Sequence, residues 1–386
     1  MSREILSARR SALNSHNGSS QVKFSWFIPI DGDGARAGTL RAERPPDFDY
    51  LRQVVETAEE CGFYSLLIPT RFANGLFAED APLAETWTTA TALAAVSNRI
   101  RFLIAVRPGF ISLGLFAQMA AALHHISKGR IDINIVPGGI QHDFERIGEV
   151  SDHATRYERA EEFIAACRQL WTQPGPVDFQ GDYYRLQDAY CSPMPDGRPP
   201  LLYLGGVSPQ AMGLSGRQAD VHLSWIEPVE ETRARVEALQ AEFRQAGRRP
   251  SLGLRTHLVV RDSEAEAWAA AEELIAHADP AVKAQRKSAV AGTPMVGQQA
   301  QAREANGHRV GPHLWNGLSE VRVNCGTAIV GTPEQAANVL LDYWKLGFQE
   351  FILSGFPHVE ECRRVSAQVL PLLREKIAAA SIPSPC

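Results

Sequence analysis

Residues Leu201 to Pro228 read LLYLGGVSPQAMGLSGRQADVHLSWIEP, and the order of pieces in this stretch decides the fold. A short apolar run, Leu201 to Leu204, is closed by Gly205-Gly206. Ser208 then stands as an N-cap with Pro209 in the first helical turn, both preferred residues at those positions. A second apolar run, Val221 to Trp225, follows the break at Ala219-Asp220. The order is strand, glycine turn, helix N-terminus, strand. Such a turn brings backbone N–H groups close to a ligand, and the open N–H groups of a helix start attract phosphate. The plain alternative is a tight connection with no ligand.

The same unit recurs on both sides. Phe24–Ile30 (FSWFIPI) is almost wholly apolar, as a strand buried on both faces must be. Helix Phe48–Cys61 stops at Gly62, and strand Ser65–Pro69 follows. Helix Glu85–Val96, strand Arg101–Val106, helix Leu115–Ile126, strand Ile131–Val136 and helix Arg156–Trp171 continue the alternation, interrupted by a small hairpin over Val177–Leu186. After Trp225 come helix Glu230–Ala246, strand Leu252–Val260, helix Pro333–Leu346, strand Phe351–Ser354 and a closing helix from His358 to Lys376. Eight strands in strict alternation with helices predict an α/β protein, a (β/α)8 TIM barrel, over an open doubly wound sheet, and no GxGxxG follows the first strand. The surplus length falls in insertions, the largest over about residues 262–322, between strand seven and helix seven. It begins with a helix, Glu264–Ala278, and its polar, Gly- and Gln-containing part, Gly292 to Gly311, predicts a mobile lid, with a packed structural excursion as the alternative. Residues 1–22 are Arg- and Ser-rich without an apolar core and read as a disordered tail, leaving 23–386 as one domain.

Of 386 residues 45% are hydrophobic and 22% charged, an ordinary globular balance. The net charge of -5 and pI near 6.1 speak against nucleic-acid binding. No apolar run is long enough to span a membrane. Six scattered cysteines without a CxxC pair make no disulfide framework, and a reducing cytoplasm is the expected location. No metal site is expected: His124 and His125 are neighbours on a helix and point in different directions.

In a barrel of this kind chemistry gathers where strands end at their carboxyl side. Those ends carry Asp31 and Asp33, Thr70 and Arg71, Arg107, Gly138-Gly139, Ser208, Trp225, Arg255 with His257, and the run Ser354 to His358. No GxSxG, HExxH, P-loop or paired-carboxylate arrangement is present. The set is cationic, aromatic and glycine-rich, which suits an anionic ligand lying on flat surfaces. Arg255 and His257 alternate along one strand and so share a face. Their proximity pushes the imidazole toward neutrality unless an anion lies between them, so the pair reads as an anion clamp with a proton-relaying His. A layer of hydrogen bonds inside the barrel is the competing reading, as barrel filling is for Trp225.

The segments WFIPIDGDG, GFYSLLIPT, RFLIAVRPG, RYERAEEF, LYLGGVS, LSWIEP, GLRTHLVVRDSEAEAW, NGHRVGPHLW, GTAIVG and ILSGFPHVEE, in order from residue 23 to about 375, give the chain its resemblance. It resembles the bacterial luciferase-like flavin-dependent monooxygenase family, closest to the alkanesulfonate monooxygenase branch. That resemblance implies FMN, delivered as FMNH2 by a separate NAD(P)H:FMN reductase, and O2 as co-substrate. It implies oxygenation of a carbon bearing a sulfonate, with C–S cleavage to aldehyde and sulfite, and a homodimer or homotetramer. It places the flavin phosphate on Tyr157, Ser208 and the Gly206 turn, and the ring along Arg107, Val136 and Gly138. Trp225, Arg255, His257 and Arg309 of the insertion match substrate and catalytic positions, with Arg255 and Arg309 gripping the sulfonate or shielding the oxygenated flavin.

Four departures fall on the substrate side. Asp31 stands where the sulfonate enzymes carry His, and the loop RFANGLFAEDAPLAETW after the second strand is longer than theirs and lacks their Cys. Phe356 replaces a Tyr, and Asn324-Cys325-Gly326 alters a glycine-rich segment. A carboxylate at Asp31 disfavours a small anionic sulfonate unless it faces away. Other small-molecule substrates, a sulfone or a non-sulfur compound, therefore stand beside the sulfonate. So do deazaflavin-dependent hydride transfer and a flavin-binding protein without catalysis, although the Arg255–His257 pair argues for chemistry.

Overall fold

The structure is a computed structural model that describes residues 22–291 and 296–381. The segment expected as a tail lies outside these residues up to 21, and residues 292–295 of the expected lid do as well.

Eight parallel strands close on themselves: β1 (Lys23–Phe27), β2 (Ser65–Ile68), β3 (Arg101–Val106), β4 (Ile131–Ile135), β5 (Leu202–Gly205), β6 (Val221–Trp225), β7 (Ser251–Val260) and β8 (Phe348–Ser354). Each pairs with the next in sequence, and β8 returns to β1 with Phe24 opposite Phe351 and Trp26 opposite Leu353. This is the expected (β/α)8 barrel. Its strands are buried on both faces because helices cover the outside and side chains fill the inside. The helix Phe48–Glu60 shows how: Leu51, Val54, Val55 and Ala58 make one buried stripe at helical spacing, and Asp47 caps the start by accepting from the Tyr50 N–H at 2.9 Å.

The amino-terminal end of the barrel is held by polar side chains satisfied among themselves. Ser65 donates to Ser25 at 2.8 Å, Ser25 to Glu350 at 3.0 Å, and the Tyr203 hydroxyl to the other Glu350 oxygen at 2.9 Å. Arg101 pairs with Asp132 at 2.9 Å beside them. A floor of this kind leaves the carboxyl end free for binding.

The long insertion is built of strands and helices, and the helix expected at its start is present as Glu264–Ala276. β7 outlasts its neighbours, and beyond His257 it pairs in parallel with a short strand, Ala328–Gly331, which continues through Leu314–Trp315 into Arg309–Gly311. These strands and helix Glu264–Ala276 enclose an apolar cluster of their own, with Trp268, Trp315, Leu318 and Phe77 in it. Two helices the sequence did not announce, Pro280–Ala291 and Val296–Gln301, complete it. Two of the glutamines that gave the segment its polar look, Gln298 and Gln301, are buried: Gln301 donates to the Ile226 carbonyl at 2.9 Å and accepts from the Gly326 and Thr327 N–H groups at 3.0 Å. Arg286 reaches back to the Asn74 and Phe77 carbonyls at 2.9 and 2.6 Å. Burial turned polar residues from loop markers into fasteners.

Candidate functional site

A cavity of about 460 Å³ opens at the carboxyl ends of the strands, within the range of a small-molecule site. Its two ends differ in chemistry. At one end lies the turn from β5 into helix Pro209–Gln218. Ser208 caps that helix, its hydroxyl accepting from the Ala211 N–H at 3.2 Å, and Pro209 occupies the first turn as read from the sequence. Gly206 has φ +133, and a Cβ there would stand 2.7 Å from the Ala211 Cβ and 3.4 Å from the Tyr157 hydroxyl. Only glycine lets the chain pass so close to the helix start. The Tyr157 hydroxyl hydrogen-bonds Ser208, and burial holds its pKa up at about 12, so it stays a donor. The His153 ring lies against its ring, tilted by 37° with the centroids 4.7 Å apart. Helix N–H groups, a hydroxyl and a phenol converge where an anion fits.

The walls between the ends are apolar, with Phe27, Leu67, Ala105, Val136 and Leu223 among them. Arg107 crosses one wall, donating to the Gly138 carbonyl at 2.7 Å, with the rings of Phe144 and Phe72 at 4.9 and 5.6 Å from its guanidinium carbon. Trp225 faces the cavity from the end of β6, with Gly297 of the insertion against its ring.

The far end is cationic. Arg255 and Arg322 both lie over Phe27, their guanidinium carbons 4.5 and 5.2 Å from the ring centroid. Burial, and then repulsion from Arg71, pulls Arg255 down to about 10 and Arg322 down to about 9; both remain charged at neutral pH. Arg255 donates to the Ser354 hydroxyl at 2.8 Å and to the Thr256 carbonyl. Arg322 is 3% exposed, and among the described residues its guanidinium has no hydrogen bond and no carboxylate within ion-pair distance. A buried charge in that state is costly until something anionic arrives.

His257 sits behind Arg255, 1% exposed, rather than on the cavity surface. Its Nε2 lies 3.1 Å from the Cys325 carbonyl and its Nδ1 2.7 Å from the Ser354 hydroxyl. A carbonyl can only accept, so Nε2 carries the proton and Nδ1 accepts from Ser354. Burial first and the Arg255 charge second hold the ring far below the usual histidine range, so it is neutral. The chain Arg255–Ser354–His257–Cys325 carbonyl is thus fully satisfied and fixes the direction of the Arg255 fork.

Of the residues predicted for the site, Arg107, Val136, Gly138, Tyr157, Gly206, Ser208, Trp225 and Arg255 line the one cavity, and His257 supports it from behind. Asp31 is buried outside the lining: Oδ1 accepts from the Gly75 N–H at 2.7 Å and Oδ2 faces Arg71 Nε at 3.1 Å. Phe356 is also behind the wall, stacked on His257 at 5.6 Å and 18°. Arg309 is elsewhere: exposed, with its guanidinium 3.8 Å over the Trp268 ring. Its strand faces the outer surface of the insertion, whereas Arg322 follows the turn that carries the chain over the barrel mouth. Arg322 was missed in the sequence. The signal was the apolar run AIVG at Ala328–Gly331, an unrecognised strand whose approach must cross that mouth. Arg71, seen at a strand end but given no role, also lines the cavity.

Among the described residues no group of three or more His, Cys, Asp or Glu side chains could hold a metal, and no helix is long and apolar enough to cross a membrane. His124 and His125 instead hold a loop, through the Asp196 and Met194 carbonyls at 3.0 and 2.9 Å.

The luciferase-like monooxygenase family model matches residues 22–350. Solved structures share the fold over most of both chains. Riboflavin lyase (RcaE), determined with modified FMN and riboflavin, aligns at 19% identity and TM-score 0.74 over 92% of each chain. EDTA monooxygenase (EmoA) from Chelativorans sp. BNC1 aligns at 20% and 0.72 over 92% of this chain and 94% of its own. An F420-dependent secondary alcohol dehydrogenase, determined with an F420–acetone adduct, aligns at 18% and 0.66 over 92% and 99%. The chain belongs to the luciferase-like monooxygenases.

Proposed function

We propose that this luciferase-like monooxygenase uses reduced FMN and O2 to oxygenate a small acidic organosulfur compound, an alkanesulfonate in the simplest case, releasing an aldehyde and sulfite. The observation that carries the reading is Arg322: a buried guanidinium without a partner among the described residues, aimed with Arg255 into a cavity whose opposite end is a helix N-terminus. One molecule with a phosphate and a flat ring, and another with an acid group, satisfy both ends.

The residues present fit the flavin. The Ser208 cap and the Gly206 turn, which a Cβ would fill, would hold the phosphate with the Tyr157 hydroxyl. Arg107, Val136 and Gly138 would run along the ring. When bound, the reduced flavin supplies the two electrons that activate O2. Arg255 and Arg322 would fix the acid group, leaving the adjacent carbon toward the ring. Neutral His257 holds the Ser354 hydroxyl, which holds Arg255; its fixed tautomer makes it an orienting group that relays a proton only by way of Ser354. The apolar walls exclude water from the reacting carbon. In this reading a separate NAD(P)H:FMN reductase of the cytoplasm supplies the flavin, and the chain works as a homodimer or homotetramer. Arg309, on the outer side of the insertion, is not in the ligand set.

The test is turnover with an FMN reductase and NADH across alkanesulfonates, sulfones and non-sulfur analogues. Sulfite and aldehyde formed in step with O2 uptake are expected. No substrate-dependent product from any sulfonate would refute the reading. The fold shared with the F420-dependent dehydrogenase supports a second reading, hydride transfer with a deazaflavin. Spectroscopic titration separates the two: FMN binding without deazaflavin binding supports the first.

A further inference from the structure

We propose that Cys61 and Cys362 form a reversible redox pair: hydrogen peroxide oxidises the Cys61 sulfur, and the Cys61–Cys362 disulfide that results fastens the first helix of the barrel to the last.

Closure of the barrel brings the two ends of the fold together. Helix Phe48–Glu60 ends at Cys61, and helix His358–Arg364 carries Cys362 and runs on into the π-helical turn Val365–Val369. Such turns are uncommon and gather at functional sites. Two contacts set the register between the helices. Ser366, four residues after Cys362, donates to the Cys61 carbonyl at 3.1 Å. The Arg363 guanidinium reaches the hydroxyl of Thr57, one turn before Cys61, at 3.5 Å. Residues four apart share a helix face, so the Ser366 bond lays the Cys362 face on the end of the first helix. The two thiols are hydrogen-bonded to one another there.

The two sulfurs differ in what can reach them. Cys61 is partly exposed, and the backbone beside it is open: a Cβ on Gly62 would meet nothing within 4 Å. Cys362 is 0% exposed. The hydrogen bond from Cys362, with the Arg363 charge behind it, outweighs burial and pulls Cys61 down to about 6, so it is a thiolate at neutral pH. Burial and the Cys61 charge keep Cys362 a thiol. The other described cysteines, Cys167, Cys191 and Cys325, are buried, and burial holds their thiols up. A reachable thiolate beside a shielded thiol is the arrangement of an attacking and a resolving cysteine.

The Cys61 sulfur attacks one peroxide oxygen; the O–O bond breaks, hydroxide leaves and a sulfenic acid forms. The Cys362 sulfur then attacks the Cys61 sulfur and gives its proton to the departing oxygen. The S–O bond breaks, water leaves and the S–S bond forms. The two sulfurs have lost two electrons, and peroxide has become hydroxide and water. A dithiol reverses the link by exchange. The crosslink bridges the seam where β8 meets β1 and closes a loop that holds most of the barrel.

Peroxide treatment of the full chain, then blocking of free thiols and non-reducing peptide mass mapping, tests this. The Cys61 and Cys362 peptides should appear as one linked species. Tm should rise by about 5 °C, the closure entropy of a long loop set against the unfolding entropy of a chain of this size. Dithiothreitol should reverse both. In Cys362→Ala the Cys61 sulfur has no resolving partner and should go on to the sulfinic acid. In Cys61→Ser, Cys362 should stay a free thiol under the same treatment. The wild-type map stands even where neither variant folds. Cys61 carried to sulfinic acid in the wild type, Cys61 linked to any other cysteine, a linked protein that melts no higher, or Cys362 oxidised in Cys61→Ser would overturn the proposal. So would a wild type whose six thiols all survive peroxide. None of these readouts involves flavin or substrate.

Discussion

Replacing Arg322 with Met should make the protein more stable and a worse binder at once. The guanidinium is 3% exposed and without a hydrogen bond among the described residues, and burial with Arg71 nearby pulls its pKa down to about 9. At about 1.4 kcal/mol per pKa unit, that depression corresponds to a folded-state cost on the order of 2–4 kcal/mol once relaxation is allowed for. Met fills most of the same volume and keeps contact with Phe27 without the charge. An unfolding entropy of about 2.1 cal/mol/K per residue gives ~0.8 kcal/mol/K for a chain of this length, so Tm should rise by about 3–5 °C. Losing a desolvated charge partner should weaken alkanesulfonate binding by about 3 kcal/mol, roughly a hundredfold. FMN affinity should barely move, because the phosphate end is built from other residues. Differential scanning calorimetry and titration calorimetry on the same samples decide it. A variant that melts lower than wild type, or that binds sulfonate equally well, would refute the claim that Arg322 is held in wait for an anion.

Three further outcomes follow from the geometry. Ser354→Ala removes the hydroxyl shared by Arg255 and His257 Nδ1; it should cost about 1–3 kcal/mol in urea unfolding and lower kcat with little change in FMN affinity. Ser208→Ala should lose about 1 kcal/mol of helix capping and weaken FMN binding several-fold, while leaving sulfonate binding to the flavin-free protein intact. Acid should destabilise the fold. His257 and His358 are held well below the usual histidine range by burial, and His222 at about 3 for the same reason. Below about pH 6.5 the unfolded chain binds protons at these sites and the folded chain does not, so each histidine removes about 1.4 kcal/mol per pH unit. Buried Asp33, raised to about 6, works in the opposite sense by taking up its proton in the folded state first, and offsets about one histidine's worth between pH 6 and 5. Urea midpoints falling from pH 7 to 5 are expected; a flat profile would mean these imidazoles are protonated in the fold.

What the sequence made legible was the part governed by period and punctuation. The run Arg101–Val106 and the run Val221–Trp225 are strands at those very limits, and Ser208-Pro209 starts a helix as its chemistry demands. The residues proposed to hold the flavin follow from that frame, because Arg107, Val136, Gly138, Gly206 and Ser208 all lie at or just after the end of a strand whose position was already fixed, and Tyr157 lies in the first turns of the helix His153–Thr172. The cationic end was less legible for a physical reason. Arg322 is positioned by the strand Ala328–Gly331, only four residues long, whose partner is the far half of β7. Nothing local distinguishes such a strand from a buried loop. Arg309 and Arg322 are then equally plausible arginines in one polar segment, and only the pairing decides which enters the cavity. Gln298 and Gln301 misled in the same way: their polarity reads as exposure until the carbonyls and N–H groups they serve are in view.

In the proposed reading, the double use of β7 ties substrate recognition to the insertion. Up to Ser354 opposite His257, β7 belongs to the barrel through β8; from His257 onward it also carries Ala328–Gly331. Arg255 and His257 stand at the place where one sheet becomes two. The Cys325 carbonyl that fixes the His257 tautomer belongs to the insertion, three residues after Arg322, and Gln301 pins the N–H groups of Gly326 and Thr327 right beside it. The two guanidiniums of the proposed acid seat therefore come from different units, one barrel strand and one insertion turn, joined by a single histidine. Gln301→Ala would free both N–H groups and the Ile226 carbonyl together. Its effect should appear in sulfonate affinity before it appears in flavin affinity, because the phosphate end has no bond to the insertion among those described. Equal loss at both ends would place the coupling in the whole barrel rather than in β7.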